Sequence, residues 1–193
     1  MNAPRDPNPM QLVDTLRIQA HANRLINQRL HRAMEALPAE DFAAPRTGFF
    51  PSLAGTLNHI LAVDRYYVAA LEGDPEADRQ WHAFVPATTL PELARRQAEV
   101  DLRLIAAAAG DPDRVVAMPR GGGRVQRDRA AAVLMHLFMH QHHHRGQAHA
   151  MLSGTALKPP QLDEFMMPSE AHLRADDMAL AGWAEADVYG LPP

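Results

Sequence analysis

Residues 130–154 read AAAVLMHLFMHQHHHRGQAHAMLSG, and this stretch decides the fold. It predicts a helix from about Asp128 to Leu152, with Gly154 placed to cap its C-terminus. The mostly apolar run from Ala130 to Met139 is interrupted by His136 and falls short of the ~20 residues a membrane span requires. Of the 11 histidines in the chain, His136, His140, His142, His143, His144 and His149 lie within fourteen residues here.

Three further helices precede it. From about Met10 to Leu37, Leu12, Leu16, Ile26, Leu30 and Met34 recur at steps of three, four or their sums, with Pro9 before the start and Pro38 beyond the end. Asn23 falls on that stripe, which predicts a polar group hydrogen-bonded in the core or lining a cavity. Residues 39–51 read as a loop. Ser52 then N-caps a second helix, Leu53 to about Leu71, with Leu57, Ile60, Leu61 and Val68 on its apolar face, and Gly73-Asp74-Pro75 ends it. After a connection over 74–89, Thr89 caps a third helix, with Pro91 in its first turn, Glu92 three after the cap, and Leu93, Val100 and Leu104 following.

Between the third and fourth helices, Arg114 to Met118 and Arg124 to Arg127 flank a PRGGG turn, which allows a short β-hairpin. Beyond the fourth helix lies an extended tail, about 155–193, carrying seven acids against one base over 161–193 and a short helix near Glu170 to Glu185. The pattern predicts an all-α protein: an antiparallel, up-down four-helix bundle over about 10–154, in one domain spanning 1–193. The tail wraps the domain or meets a partner.

Composition excludes several classes. The 193 residues contain no cysteine, which removes a disulfide framework, a cysteine zinc finger, a redox CxxC and a cysteine nucleophile. With 19 Lys+Arg against 23 Asp+Glu, the net charge of −4 argues against nucleic acid as a partner. The N-terminal MNAPRDPNP offers no apolar signal-peptide core, so a soluble, cytoplasmic protein without membrane contact is expected.

The histidines carry the chemistry. Residues four apart on a helix lie on nearly the same face, so His140 and His144 aim two imidazoles at one point, and so do His136 and His140. Each such step advances ~40° around the axis, so one helix does not easily close a site from 136, 140 and 144. A third ligand is expected from another helix, and His59, among apolar neighbours on helix two, is the best candidate. A lone pair of this spacing is also common on helix surfaces. His142 and His143 read as surface or dimer-contact residues. His21, His31, His82, His149 and His172 read as isolated side chains.

Ser52 to Leu61 (SLAGTLNHIL), followed by Asp64-Arg65, and His136 to Gln147 (HLFMHQHHHRGQ) resemble the two signature helices of the DinB superfamily; Ser153 to Asp163 (SGTALKPPQLD) fits the same resemblance. The resemblance implies an up-down four-helix bundle, a homodimer, and a divalent metal held by His59, His140 and His144. His136 matches a frequent histidine of the family that is not usually a ligand. The family includes thiol-dependent transferases and isomerases alongside members of no established activity.

Three neutral imidazoles leave a dication an open coordination position, the arrangement of a catalytic site. A water there is acidified towards a pKa of ~7 and a thiol is deprotonated. Imidazole suits several metals; zinc and nickel are the ones expected. The leading expectation is a metal-dependent enzyme activating a low-molecular-weight thiol, or water, for transfer to a small substrate; the alternative is a non-catalytic dimeric metal-binding bundle with a structural or sensory metal.

Around the ligands, Asn23 lines the pocket or bonds a neighbouring helix, and Gln147, three after His144, orients that ring. Asp64 is expected to pair with an arginine, with Arg145 the candidate. Gly146, costing ~1 kcal/mol against Ala in mid-helix, predicts close approach of another backbone. Trp81, Phe84 and Phe165 read as core or dimer packing.

Overall fold

The computed structural model describes residues 10–190; Pro9, expected just before the first helix, and the polar segment ahead of it lie outside the described residues. The protein is mostly helical, with one two-stranded sheet. Four long helices dominate: α1 (Leu12–Ala33), α3 (Leu53–Leu71), α5 (Leu90–Ala108) and α6 (Ala130–Leu152), joined in part by short helices α2 (Ala39–Ala43) and α4 (Asp78–His82). Helices α1 and α3 each pack against both α5 and α6.

The ends follow local chemistry. At α3, Ser52 Oγ accepts the Gly55 N–H at 2.9 Å, as expected. At α5, Thr89 Oγ1 accepts the Glu92 N–H at 3.4 Å while the Glu92 carboxylate reaches back to the Thr88 N–H at 3.3 Å. Gly73, at φ 87°, turns the chain after α3 in a conformation that favours glycine. Helix α1 is shorter than its apolar pattern, stopping at Ala33 with Met34 as its C-cap, and Leu12 is 52% exposed although it lies on the expected stripe. Helix α6 is capped by Ser153 in right-handed geometry, not by Gly154.

The hairpin is present: β1 (Val115–Arg120) pairs antiparallel with β2 (Arg124–Arg129), from Val115↔Arg129 to Arg120↔Arg124. Gly122 and Gly123, at φ 74° and 72°, make its turn. Residues 39–51 and 74–89 are not wholly irregular, since α2 and α4 form within them.

The tail folds back onto α1. In place of a single helix near Glu170 to Glu185, it forms a 3-10 turn (Pro168–Leu173) and helices α7 (Ala175–Ala181) and α8 (Glu185–Tyr189). Phe165, Met178 and Val188 pack on Ala22, Leu25 and Ile26. Arg29 binds the carboxylates of Glu164 at 2.8 Å and Asp177 at 2.6 Å, and its guanidinium lies 4.3 Å from the Phe165 ring centroid. Phe165 is thus buried packing, as expected. Tertiary contact broke the tail into short pieces, because Arg174 is fully buried to hold Glu185 and the Tyr189 ring.

The interior joining the long helices is polar at its centre. Asp64 Oδ2 (α3) accepts from Gln97 at 2.7 Å (α5) and from Gln141 at 2.9 Å (α6). Asp101 (α5) accepts from Asn23 at 3.3 Å, Asn27 at 3.0 Å and Gln97 at 3.0 Å. Arg145 (α6) donates to the side-chain oxygens of Asn23 and, at 3.0 Å, Asn27. This corrects the expected Asp64–Arg145 pair: the carboxylate is held by glutamines and the guanidinium by asparagines. Asn23 belongs to this network and is fully buried, bonded to neighbouring helices. Burial, with Asp101 nearby, raises the Asp64 pKa to about 7.

Candidate metal centre

His59 stands on α3, and His140 and His144 on α6, where these two helices pack together. One ring nitrogen from each lies within 4.8 Å of those of the other two. His59 Nε2 and His140 Nε2 are 2.9 Å apart, and the His144 ring centroid is 4.5 Å from each of the other two. The spacing of four on α6 supplies the pair and the packing of α3 supplies the third imidazole.

The rings are held neutral. Burial, then His144, lowers the His59 pKa to about 4. Burial, then His144 and His59, lowers that of His140 to about 3. Burial also lowers that of His144, against the opposing effect of its Gln147 hydrogen bond. Neutral imidazole is the form that ligates.

Gln147 Oε1 accepts the His144 Nδ1–H at 2.7 Å, which leaves Nε2 of that ring with its lone pair, and Gln147 Nε2 donates to His143 Nε2 at 3.1 Å. His140 Nδ1 is buried with no protein partner among the described residues. Clustered neutral nitrogens with no carboxylate among them fit a divalent cation of borderline softness. His142 donates Nδ1–H to the Phe138 carbonyl at 2.6 Å and is not among the gathered nitrogens.

His140 also lines a cavity of about 420 Å³, together with His136, Tyr67, Trp81, His82 and Arg120. His136 is therefore a wall residue, 5.3 Å from the Tyr67 ring and outside the three-histidine cluster. His82, read as isolated, shares this wall. Trp81, expected as packing, is 48% exposed, lines the cavity and stands edge-on to His59 at 6.2 Å. Phe84 does pack against the core, beneath the Arg96 guanidinium.

Sequence reasoning missed Phe50, which stacks on His59 at 4.3 Å and lies 5.6 Å from His144. It stands in a segment without regular periodicity, so no pattern pointed to it. Tyr67 and Arg120 were missed too; Tyr67 is eight residues after His59, about 80° around the helix, so spacing did not join it to the site. Gly146 does not meet another backbone: a Cβ built there touches nothing within 4 Å.

A mostly helical chain with three imidazoles gathered from two packed helices is compatible with a three-histidine metal site. A family model described as "DinB family" matches residues 16–178, most of the chain, and the chain belongs to the DinB family. A search of curated proteins finds no match to it. No helix among the described residues is long and apolar enough to cross a membrane.

Proposed function

We propose that this DinB-family protein is a metal-dependent enzyme that activates a diffusible thiol, or water, at His59, His140 and His144 for transfer to a small substrate. The observation that carries the proposal is the convergence of three neutral imidazoles beside a half-open cavity of about 420 Å³ that His140 itself lines. Zinc or nickel bound there supplies a Lewis acid that lowers the pKa of a bound water or thiol.

The chain's own residues do the rest. His59, His140 and His144 hold the ion, and Gln147 fixes the His144 tautomer. Phe50 covers one face of His59 and limits water there. His136, one turn before His140 on the cavity wall, accepts or passes on a proton. With no cysteine in the chain, a thiol nucleophile arrives as a diffusible molecule.

We place the site in an antiparallel up-down four-helix bundle formed by α1, α3, α5 and α6 within one domain, and propose a cytoplasmic homodimer. The packing of α1 and α3 against both α5 and α6 supports the bundle. The test is elemental analysis of protein purified without a histidine tag, followed by calorimetry with low-molecular-weight thiols in buffers of different ionisation enthalpy. One equivalent of metal, and about one proton released per thiol, is the expected result. A metal-bearing protein to which no thiol binds leaves hydrolysis; one without stoichiometric metal overturns the proposal.

A further inference from the structure

We propose that the cavity beside the histidines takes an elongated anionic small molecule, its carboxylate or phosphate held by Arg120 and its opposite end presented to the histidines. The proposal rests on the reading of His59, His140 and His144 as the reactive end, and adds the class of substrate.

Arg120 closes β1 at the hairpin turn and lines the same cavity as His140. Its guanidinium lies 5.1 Å from the Tyr66 ring centroid and 5.5 Å from that of Tyr67. Its hydrogen-bond acceptors are neutral: the Tyr67 hydroxyl and Gln126 Oε1, both at 3.2 Å. It forms no ion pair among the described residues, whereas Arg129 of the same hairpin pairs with Asp113 at 2.7 Å. A partly buried guanidinium stacked on aromatic faces and hydrogen-bonded to neutral acceptors, with the Asp128 carboxylate attracting it only from beyond ion-pair distance, is preorganised for a planar or tetrahedral oxyanion. Its position is fixed, because the Pro119 carbonyl next to it accepts the Tyr66 O–H at 2.8 Å and ties the hairpin to α3.

The geometry also sets a length. Tyr67, which touches Arg120, is eight residues beyond His59 on α3, a rise of about 12 Å. The wall between is largely apolar, with Val63, Tyr66 and Trp81. A ligand filling this space has an anionic head, an apolar middle and a reacting group roughly 10 Å from the head. Asp78 on the α4 wall is the carboxylate lining the cavity, and it opposes the anion. His82, His136, Tyr66 and Tyr67 also line that wall near Arg120, and Asp128 on β2 acts on its charge.

The probes are 4-phenylbutyrate, 4-phenylbutyl phosphate and the uncharged 4-phenylbutan-1-ol. Binding is followed by the fluorescence of Trp81 in a Trp183→Phe background, with chelator present so that coordination at the histidines does not contribute. We expect at least one anion to bind tenfold or more tightly than the alcohol, with the tighter of the two identifying the head group. Arg120→Met removes that advantage, Arg120→Lys keeps part of it, and Asp78→Asn tightens anion binding. Equal affinity for alcohol and anions, no binding of either anion, or an Arg120→Met protein with unchanged anion affinity overturns the proposal. Metal stoichiometry, measured separately, judges the three-histidine reading, so the two fail independently.

Discussion

His59 Nε2 and His140 Nε2 face each other across the α3–α6 seam at 2.9 Å, while Gln141, the residue after His140, donates across the same seam to Asp64 at 2.9 Å. The second contact ties α3 and α6 immediately beside the histidines. The orientation of the imidazoles is therefore coupled to a buried polar core that reaches all four long helices.

His59→Ala, His140→Ala and His144→Ala should each abolish stoichiometric binding of zinc or nickel, because two imidazoles hold a divalent ion poorly. His142→Ala, whose ring is occupied by the Phe138 carbonyl, should retain it. Metal content after dialysis checks this, and full retention by His140→Ala sinks the assignment.

Asp64 makes stability depend on pH with a defined sign. Its folded pKa, raised to about 7 by burial and then by Asp101, exceeds the ~3.9 of an unfolded chain. Folding therefore takes up a proton between these values. The stability contributed is complete below about pH 4 and is lost as pH rises through 7, by an amount on the order of a few kcal/mol. In chelator, Asp64→Asn should show a smaller fall in Tm from pH 5 to pH 8 than the parent chain. An undiminished fall means that another group is responsible.

Arg145→Met should be strongly destabilising. It leaves the oxygens of Asn23 and Asn27 without their donor and removes the buried cation near Asp64 and Asp101. Breaking a buried charged network from one side costs about 3–5 kcal/mol, which chemical denaturation measures directly. A loss under 1 kcal/mol contradicts the network's role.

Gly146 tests the proposed dimer. Its added Cβ meets nothing in the chain, so Gly146→Ala should gain about 1 kcal/mol of helix propensity in the protomer. A bulky Gly146→Leu should instead weaken self-association if α6 packs on a second copy there. Sedimentation of the parent chain should give a species of twice 21.3 kDa, and a protomer-sized species at micromolar concentration refutes the dimer.

The sequence by itself determined the four long helices, the Ser52 and Thr89 caps and the glycine turn of the hairpin, because each depends on residues within a few positions of one another. It also determined the His140–His144 pair, since helical spacing alone puts residues four apart on one face. His59 was legible as a third nitrogen only as the best candidate on another helix, and the packing of α3 on α6 brought it there. Tertiary structure alone decided the partners of Asp64 and Arg145, because charge complementarity suggests a pair while burial assigns each group whichever amides the neighbouring helices present. The same holds for Phe50 over His59, for Trp81 and Arg120 meeting His140 around one cavity, and for the tail broken by Arg174. These relationships join residues far apart in sequence, and local periodicity carries no information about which faces of two helices meet.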